Sequence, residues 1–247
     1  MKRVLLYLPL LFLLSSCSKD NRWACFTPTG SEKTERRSVD PFTRIESFNK
    51  IQVTIFQGPE TRVEVIAGKN IIHNIKTTVS DGVLKIEDKN TCNFVRGYKH
   101  IVKVYVTLPY IEKATNNGVG QIEFDPGFIQ DSIAVRAESS GDISINGTFK
   151  MIRTSSHGNG DIYLNGVCEK LFVYAYGTNF LQAMDLEIKD YAFIANQSLG
   201  DCNINATQTP MVEYVISSSG NLYYKGDPGT IDGKIDQGAK GKLMKKD

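Results

Sequence analysis

The stretch Ser139–Phe149, SSGDISINGTF, is followed almost at once by Ser155–Gly166, SSHGNGDIYLNG. Both set a glycine and an aspartate ahead of a short apolar alternation. Taking the polar residue before each such alternation as a marker gives Gln121 in VGQIEF, Asp142 in SGDISI, Asp161 in NGDIYL, Asn179 in GTNFLQA, Asp201 in LGDCNI and Asn221 in SGNLYY. The intervals between them are 21, 19, 18, 22 and 20 residues. Self-similarity at a period near twenty is the mark of a solenoid.

Side-chain periodicity explains why the phrase recurs. At one and three residues past a marker stand Ile122 and Phe124, Ile143 and Ile145, Ile162 and Leu164, Cys202 and Ile204, and Leu222 and Tyr224, with mostly polar residues between them. Alternate side chains of a strand share a face, so the apolar set points inward and the other outward. One coil cannot bury its own inward face, whereas coils stacked about 4.8 Å apart cover one another. Gly120, Gly141, Gly160, Gly200 and Gly220 directly precede their markers. They are assigned to a sharp corner, on the ground that glycine takes positive φ without a Cβ clash. Asp142, Asp161, Asp201 and Asn221 are taken as structural corner residues beside them, since Asp and Asn tolerate the left-handed region and bond their own backbone. The segment AYGTNFLQA departs from the pattern by advancing its glycine two places, which leaves its alignment open.

Upstream of the repeats, IQVTIFQG and RVEVIAG alternate around a Gly-Pro turn and predict a hairpin. GKNIIHNIKTTV is expected to hold one helical turn. TVSDGVLKIED predicts a second hairpin at Asp81-Gly82, and HIVKVYVTLPY a strand stopped by Pro109. The expected organisation is a leader over 1–16, a polar tether over 17–40, a hairpin-rich part over 41–108, solenoid coils over 109–236 and a basic, solvated tail over 237–247. The fold class is all-β: a short parallel β-helix with coils of about 20 residues and a hairpin-rich cap at its N-terminal end.

The leader has Lys2 and Arg3 followed by an unbroken apolar run from Val4 to Leu14. Eleven helical residues reach only about 16 Å, short of a bilayer core, so the run reads as a secretory signal. It ends in Leu14-Ser15-Ser16-Cys17, which resembles the lipobox of bacterial lipoproteins and implies a lipid on Cys17 as the membrane anchor. Removing the leader takes away two of 29 basic residues and none of 27 acidic ones, leaving 27 against 27. A neutral chain without a Lys/Arg stripe argues against a nucleic-acid partner. Beyond Cys17 the cysteines are Cys25, Cys92, Cys168 and Cys202, an even number that permits disulfides in an exported protein with three possible pairings. Cys25 with Cys92 is preferred, because Cys202 reads as a small core residue. No CxxC spacing points to structural zinc.

FNKIQVTIFQGPETRVEVIAGKNI, VSDGVLKIED, VKVYVTLPYIEKATNNGVGQIEF, the Gly-Asp-Ile coils and GNLYYKGDP together resemble the auto-transporter adhesin head GIN domain of Bacteroidota lipoproteins, over about Phe42 to Asp236. The resemblance implies a right-handed parallel β-helix-like domain exported to the cell envelope; it does not imply an enzyme. Cys17-Ser18-Lys19-Asp20 is also similar in part to the signal that sends such lipoproteins to the outer face of the outer membrane, with Asn21 departing from a second acid.

No catalytic constellation emerges. Corner carboxylates at coil spacing would lie about 5 Å apart, a distance that suits glycoside chemistry. Asn179, Gln121 and Asn221 interrupt that row, which favours the structural reading. His73, His100 and His157 lack triad spacing, and no GxSxG follows a strand. No cofactor or metal is expected. The one binding feature is aromatic: Phe172, Tyr174 and Tyr176 alternate on one face of KLFVYAYG, with Tyr191 and Phe193 one coil later and Tyr214 in the coil after that. Facing outward, these rings form a platform for sugar faces. Facing inward, they are a core ladder, the slightly favoured reading; alternation cannot choose between the two faces, because Leu171, Val173 and Ala175 fill the other one. The expected function is a non-catalytic adhesion or interaction module with a glycan or surface-protein ligand. The alternative is a polysaccharide-binding or polysaccharide-active β-helix.

Overall fold

A computed structural model describes residues 28–91 and 101–246. The signal, Cys17, Cys25, Cys92 and His100 lie outside the described residues. In chain order the strands are β1 (Glu32–Arg37), β2 (Arg44–Ser47), β3 (Ile51–Gln57), β4 (Arg62–Gly68), β5 (Ile75–Ser80), β6 (Val83–Asp88), β7 (Val102–Leu108), β8 (Lys113–Asn116) and β9 (Ile122–Phe124). They continue as β10 (Phe128–Ala137), β11 (Ile143–Ser156), β12 (Ile162–Gly177), β13 (Leu181–Ser198), β14 (Cys202–Asn205), β15 (Met211–Ile216), β16 (Leu222–Lys225), β17 (Thr230–Ile235) and β18 (Leu243–Lys246). The expected helical turn is a single 3-10 turn at Ile72–Asn74. Among the described residues no helix is long and apolar enough to cross a membrane.

The long strands β11, β12 and β13 lie parallel, each one coil above the last, with Ile143 opposite Ile162 and Ile162 opposite Leu181. Two parallel ladders result. One follows the corners and runs β7, β3, β9, the first parts of β11 to β13, then β14, β16 and β18. The other precedes the corners and runs β6, β2, β8, β10, the later parts of β11 to β13, then β15 and β17. The fold is therefore a β-solenoid, with its core between the two ladders.

Inward residues follow the predicted alternation. Ile122, Ile143, Ile162, Leu181, Cys202 and Leu222 stack on consecutive coils, all buried. Phe124, Ile145, Leu164, Ala183 and Ile204 line a second inward row, also buried. Each large aliphatic side chain so covered contributes roughly 1.5 to 3 kcal/mol. Cys168 and Cys202 are buried free thiols, so Cys202 takes the core place expected of it and Cys168 does likewise.

The corners differ in cause from the expectation. None of the corner glycines has positive φ. What they supply is close approach: a Cβ at Gly160 would stand 2.2 Å from the Gly141 carbonyl oxygen, and one at Gly220 would stand 1.9 Å from that of Gly200. Glycine is required because one coil's backbone lies directly on the next. The fourth corner is also aligned differently. Leu181 sits over Ile162, which makes Phe180 the counterpart of Asp161 and puts Asn179 in the glycine position. The marker intervals around it become 19 and 21 residues.

Three other assignments change at the ends. The strands flanking Gly58-Pro59, β3 and β4, do not pair with each other. β7 lies between them, parallel to β3 and antiparallel to β4, so no two-stranded hairpin forms there. The Asp81-Gly82 hairpin does form, with φ of 52° and 71° at its two turn residues. The coil made of β2 and β3 sits between the coil of β6 and β7 and that of β8 and β9, so spatial and chain order differ at this end. β1, within the stretch read as tether, pairs antiparallel with β4 and closes the first ladder with Glu, Lys and Arg side chains, a charged edge that discourages further pairing. At the other end, Leu243–Lys246, read as a solvated tail, is a strand paired with β16. Gly241 stands over Gly220 in one further corner, a Cβ there lying 2.1 Å from the Gly220 oxygen.

Candidate functional site

Corner carboxylates are the first candidates to be placed. The Asp161 backbone N–H donates to Asp142 Oδ1 at 2.8 Å, the Phe180 N–H to Asp161 Oδ1 at 2.8 Å, and the Asn221 N–H to Asp201 Oδ1 at 2.8 Å. Lys242 N–H donates in turn to Asn221 Oδ1 at 3.0 Å. Asp142, Asp161, Asp201 and Asn221 thus satisfy the backbone of the following coil; none of them takes positive φ, and the partner is the neighbouring coil's backbone and not their own. Burial raises the Asp161 pKa above the ordinary carboxylate value, the Phe180 N–H opposes that rise, and the Asp142 charge adds to it.

Beneath the corners lie two buried asparagines that the repeat did not single out. Asn116 Nδ2 donates to the Gly120 carbonyl at 2.7 Å while its Oδ1 accepts from Gly118 N–H at 3.1 Å. Asn196 does the same with the Gly200 carbonyl and Ser198 N–H, at 3.2 and 3.0 Å. Asn179 accepts from Ser156 Oγ at 2.6 Å and donates to the Gly158 carbonyl at 2.9 Å. The signal was present as an Asn four residues before the corner glycine, in NNGVG and NQSLG. These amides brace the loops against buried unpaired polar groups.

The aromatic face resolves the opposite way from the favoured reading. Leu171, Val173 and Ala175 are buried, and Phe172, Tyr174 and Tyr176 point outward and are half-buried. The interior dictates this, because Ala175 lies over Ser156, where the neighbouring coil also brings its small side chain inward. Tyr191 and Phe193 join the outward face. Tyr214 does not: it lies opposite Ile194 and packs on the core. Outward rings of neighbouring coils touch, with Phe172 and Tyr191 at 5.7 Å between centroids and Tyr174 and Phe193 at 5.8 Å, both tilted by 52°.

Polar groups frame these rings. The Arg153 guanidinium lies 5.5 Å from the Phe172 centroid. His157 stacks on Tyr176 at 4.8 Å, and its Nε2 is 2.9 Å from Ser155 Oγ. This Ser-x-His spacing on one strand face was legible but not read. Burial and the nearby Arg136 hold the His157 pKa below its ordinary value. Among the described residues no carboxylate hydrogen-bonds its other ring nitrogen, as a Ser-His-acid arrangement needs. Tyr191 Oη donates to Glu213, and burial together with that carboxylate pushes its pKa up to about 12. His73 is exposed on the 3-10 turn, far along the chain from this face. Among the described residues no group of three or more His, Cys, Asp or Glu is placed to hold a metal ion. The arrangement as built is a shallow, ring-covered wall with cationic and anionic margins.

Comparison with known proteins agrees with this architecture. Solved structures with the same fold include a putative adhesin from Bacteroides fragilis, 22% identical, with a TM-score of 0.72 over 89% of this chain and 99% of that one. A putative lipid binding protein from Parabacteroides distasonis is 18% identical, with a TM-score of 0.68 over 88% and 98% of the two chains. A putative adhesin from Parabacteroides merdae is 17% identical, with a TM-score of 0.59 over 89% and 98%. No curated protein matches the sequence. Residues 41–228 match the family model described as "Putative auto-transporter adhesin, head GIN domain", and the chain belongs to that family.

Proposed function

We propose that the protein is an exported, non-enzymatic adhesion module of the cell envelope, anchored by a lipid on Cys17 and binding carbohydrate on the outward face of β12 and β13. The observation that carries this reading is the contiguous set of outward rings, Phe172, Tyr174, Tyr176, Tyr191 and Phe193, spread over two coils. Neighbouring rings cover one another only in part, and a pyranose would cover the remaining ring area with its apolar C–H face while its hydroxyls meet the phenol tips. The solenoid backbone holds the rings in place, which limits the entropy lost on binding. Membership of an adhesin family supports export and a binding role. The polysaccharide-active alternative draws less support, because Asp142, Asp161 and Asp201 each accept a backbone N–H of the next coil.

The test is a glycan microarray probed with the purified full chain and its Tyr174→Ala variant. Binding to at least one glycan class, lost in the variant, is expected; no binding above background sinks the carbohydrate reading. For the anchor, Cys17→Ala is expected to move the protein out of the membrane fraction, and retention there would contradict lipidation.

A further inference from the structure

Charge is distributed unevenly around the ring-covered face, and the coil alignment shows how. From the coil of β2 onward one outward column reads, coil by coil, Arg44, which is held to the Asp81 carbonyl, then Lys113, Ala134, Arg153, Phe172, Phe193, Glu213 and Asp232. It passes from cations through two rings to carboxylates. The neighbouring column reads Thr115, Arg136, Ser155, Tyr174, Ala195, Val215 and Lys234.

Lys113 and Arg153 in the first column differ in engagement from the cations elsewhere on this face. Arg136 is paired with Glu138, and Lys170 with Asp190 at 3.5 Å. Among the described residues neither Arg153 nor Lys113 forms an ion pair, and Arg153 is exposed with Phe172 as its ring partner. Between them Ala134 presents only a methyl group. At the other end, Glu213 accepts from Tyr191 and Asp232 is exposed, so that margin repels an anion. From Lys113 to Phe193 the column spans four coil steps, about 19 Å at 4.8 Å per step.

Building on the carbohydrate reading, we propose that the ligand is an acidic polysaccharide carrying uronate carboxylates. It lies along the solenoid axis with its sugar rings on Phe172, Tyr174 and Phe193 and a carboxylate between Arg153 and Lys113. A planar carboxylate matches the paired N–H donors of a guanidinium, and Lys113 adds a second cation within reach of an extended chain. Glu213 and Asp232 fix the direction, because reversing the chain would bring a carboxylate against two others.

Affinity electrophoresis of the full chain through gels containing polygalacturonate, its fully methyl-esterified form, or dextran sulfate tests this. Retardation is expected in polygalacturonate, falling about tenfold or more in Arg153→Gln, as loss of one charge-assisted contact implies. Retardation in the methyl ester should be weak and unaffected by Arg153→Gln. Tyr174→Ala should lose both, and both variants should still unfold in one cooperative transition, Tyr174→Ala at a somewhat lower temperature because its contact with Phe193 is gone. Equal retardation by polygalacturonate and its ester, with Tyr174→Ala losing both, overturns the uronate proposal and leaves the ring platform standing. Equal retardation by dextran sulfate and polygalacturonate overturns it in favour of bare charge. Absence of retardation in every gel overturns the proposal together with the carbohydrate reading.

Discussion

Gly141 runs so close over Gly120 that a Cβ built on it would stand 1.9 Å from the Gly120 carbonyl oxygen, with Asn116 Nδ2 at 2.5 Å. Two stacked coils share this corner, and no side chain fits between them. Gly141→Ala is therefore expected to fall among the most damaging single substitutions, at about 3 to 5 kcal/mol. Gly127 offers the contrast: its φ is +97° and no atom would lie within 4 Å of a Cβ. Gly127→Ala should cost only backbone strain, about 1 to 2 kcal/mol. Urea midpoints of the two variants give the comparison, and equal losses would remove the close-approach account of the corner.

Asp161 is used as an acceptor, so its oxygen matters more than its charge. Asp161→Ala leaves the Phe180 N–H without its partner and should cost about 1 to 3 kcal/mol. Asp161→Asn keeps the acceptor, as Asn221 does for Lys242 within the same column. The folded-state pKa of Asp161 is raised, chiefly by burial, so the folded chain holds this proton to higher pH than the unfolded chain. The Asp161 contribution to stability is then present below its unfolded pKa and is lost as pH rises through the carboxylate range. Asp161→Asn should gain on the wild type between pH 3 and pH 7 in paired melting curves, and a fall across that interval would refute the sign.

Ile162 is 2% exposed and Tyr163 is 36% exposed, although they are adjacent. Ile162→Ala should cost about 2 to 5 kcal/mol through lost burial and a residual cavity. Tyr163→Ala should cost less than about 1 kcal/mol, since its hydroxyl reaches only Asp161 at 3.4 Å. Denaturant titrations showing similar losses would mean the inward and outward faces are exchanged.

Cys168 and Cys202 are free thiols, and burial pushes both to about 12. Thiolate is the reactive form, so both should resist iodoacetamide at pH 8 in the folded protein and react in guanidinium. Peptide mapping by mass spectrometry resolves each site, and native labelling of Cys202 would contradict its place between Leu181 and Leu222.

Much of the solenoid was legible because its causes are local. Ile143 and Ile162 share an inward face through simple alternation, and the Gly-Asp pair before each marks a turn that every coil repeats. Asn179 and Phe180 show where this stops. The sequence there places a polar residue two places after its glycine, and only pairing of Leu181 with Ile162 reveals that Phe180 occupies the marker position. Asn179 instead fills the glycine position, where its amide bonds the Gly158 carbonyl. The wall of rings was visible as an alternation whose direction the alternation itself could not give.

Composition, period and alternation by themselves determined that this chain winds into stacked coils, because an apolar pair once in about twenty residues can be buried only against its own repeat. The tertiary structure alone decided that Phe172, Tyr174 and Tyr176 face solvent, that corner glycines are needed for contact and not for φ, and that the coil of β2 and β3 is inserted between two later ones. Each of these depends on which backbone lies against which across tens of residues, and side-chain order along a single strand carries no record of that.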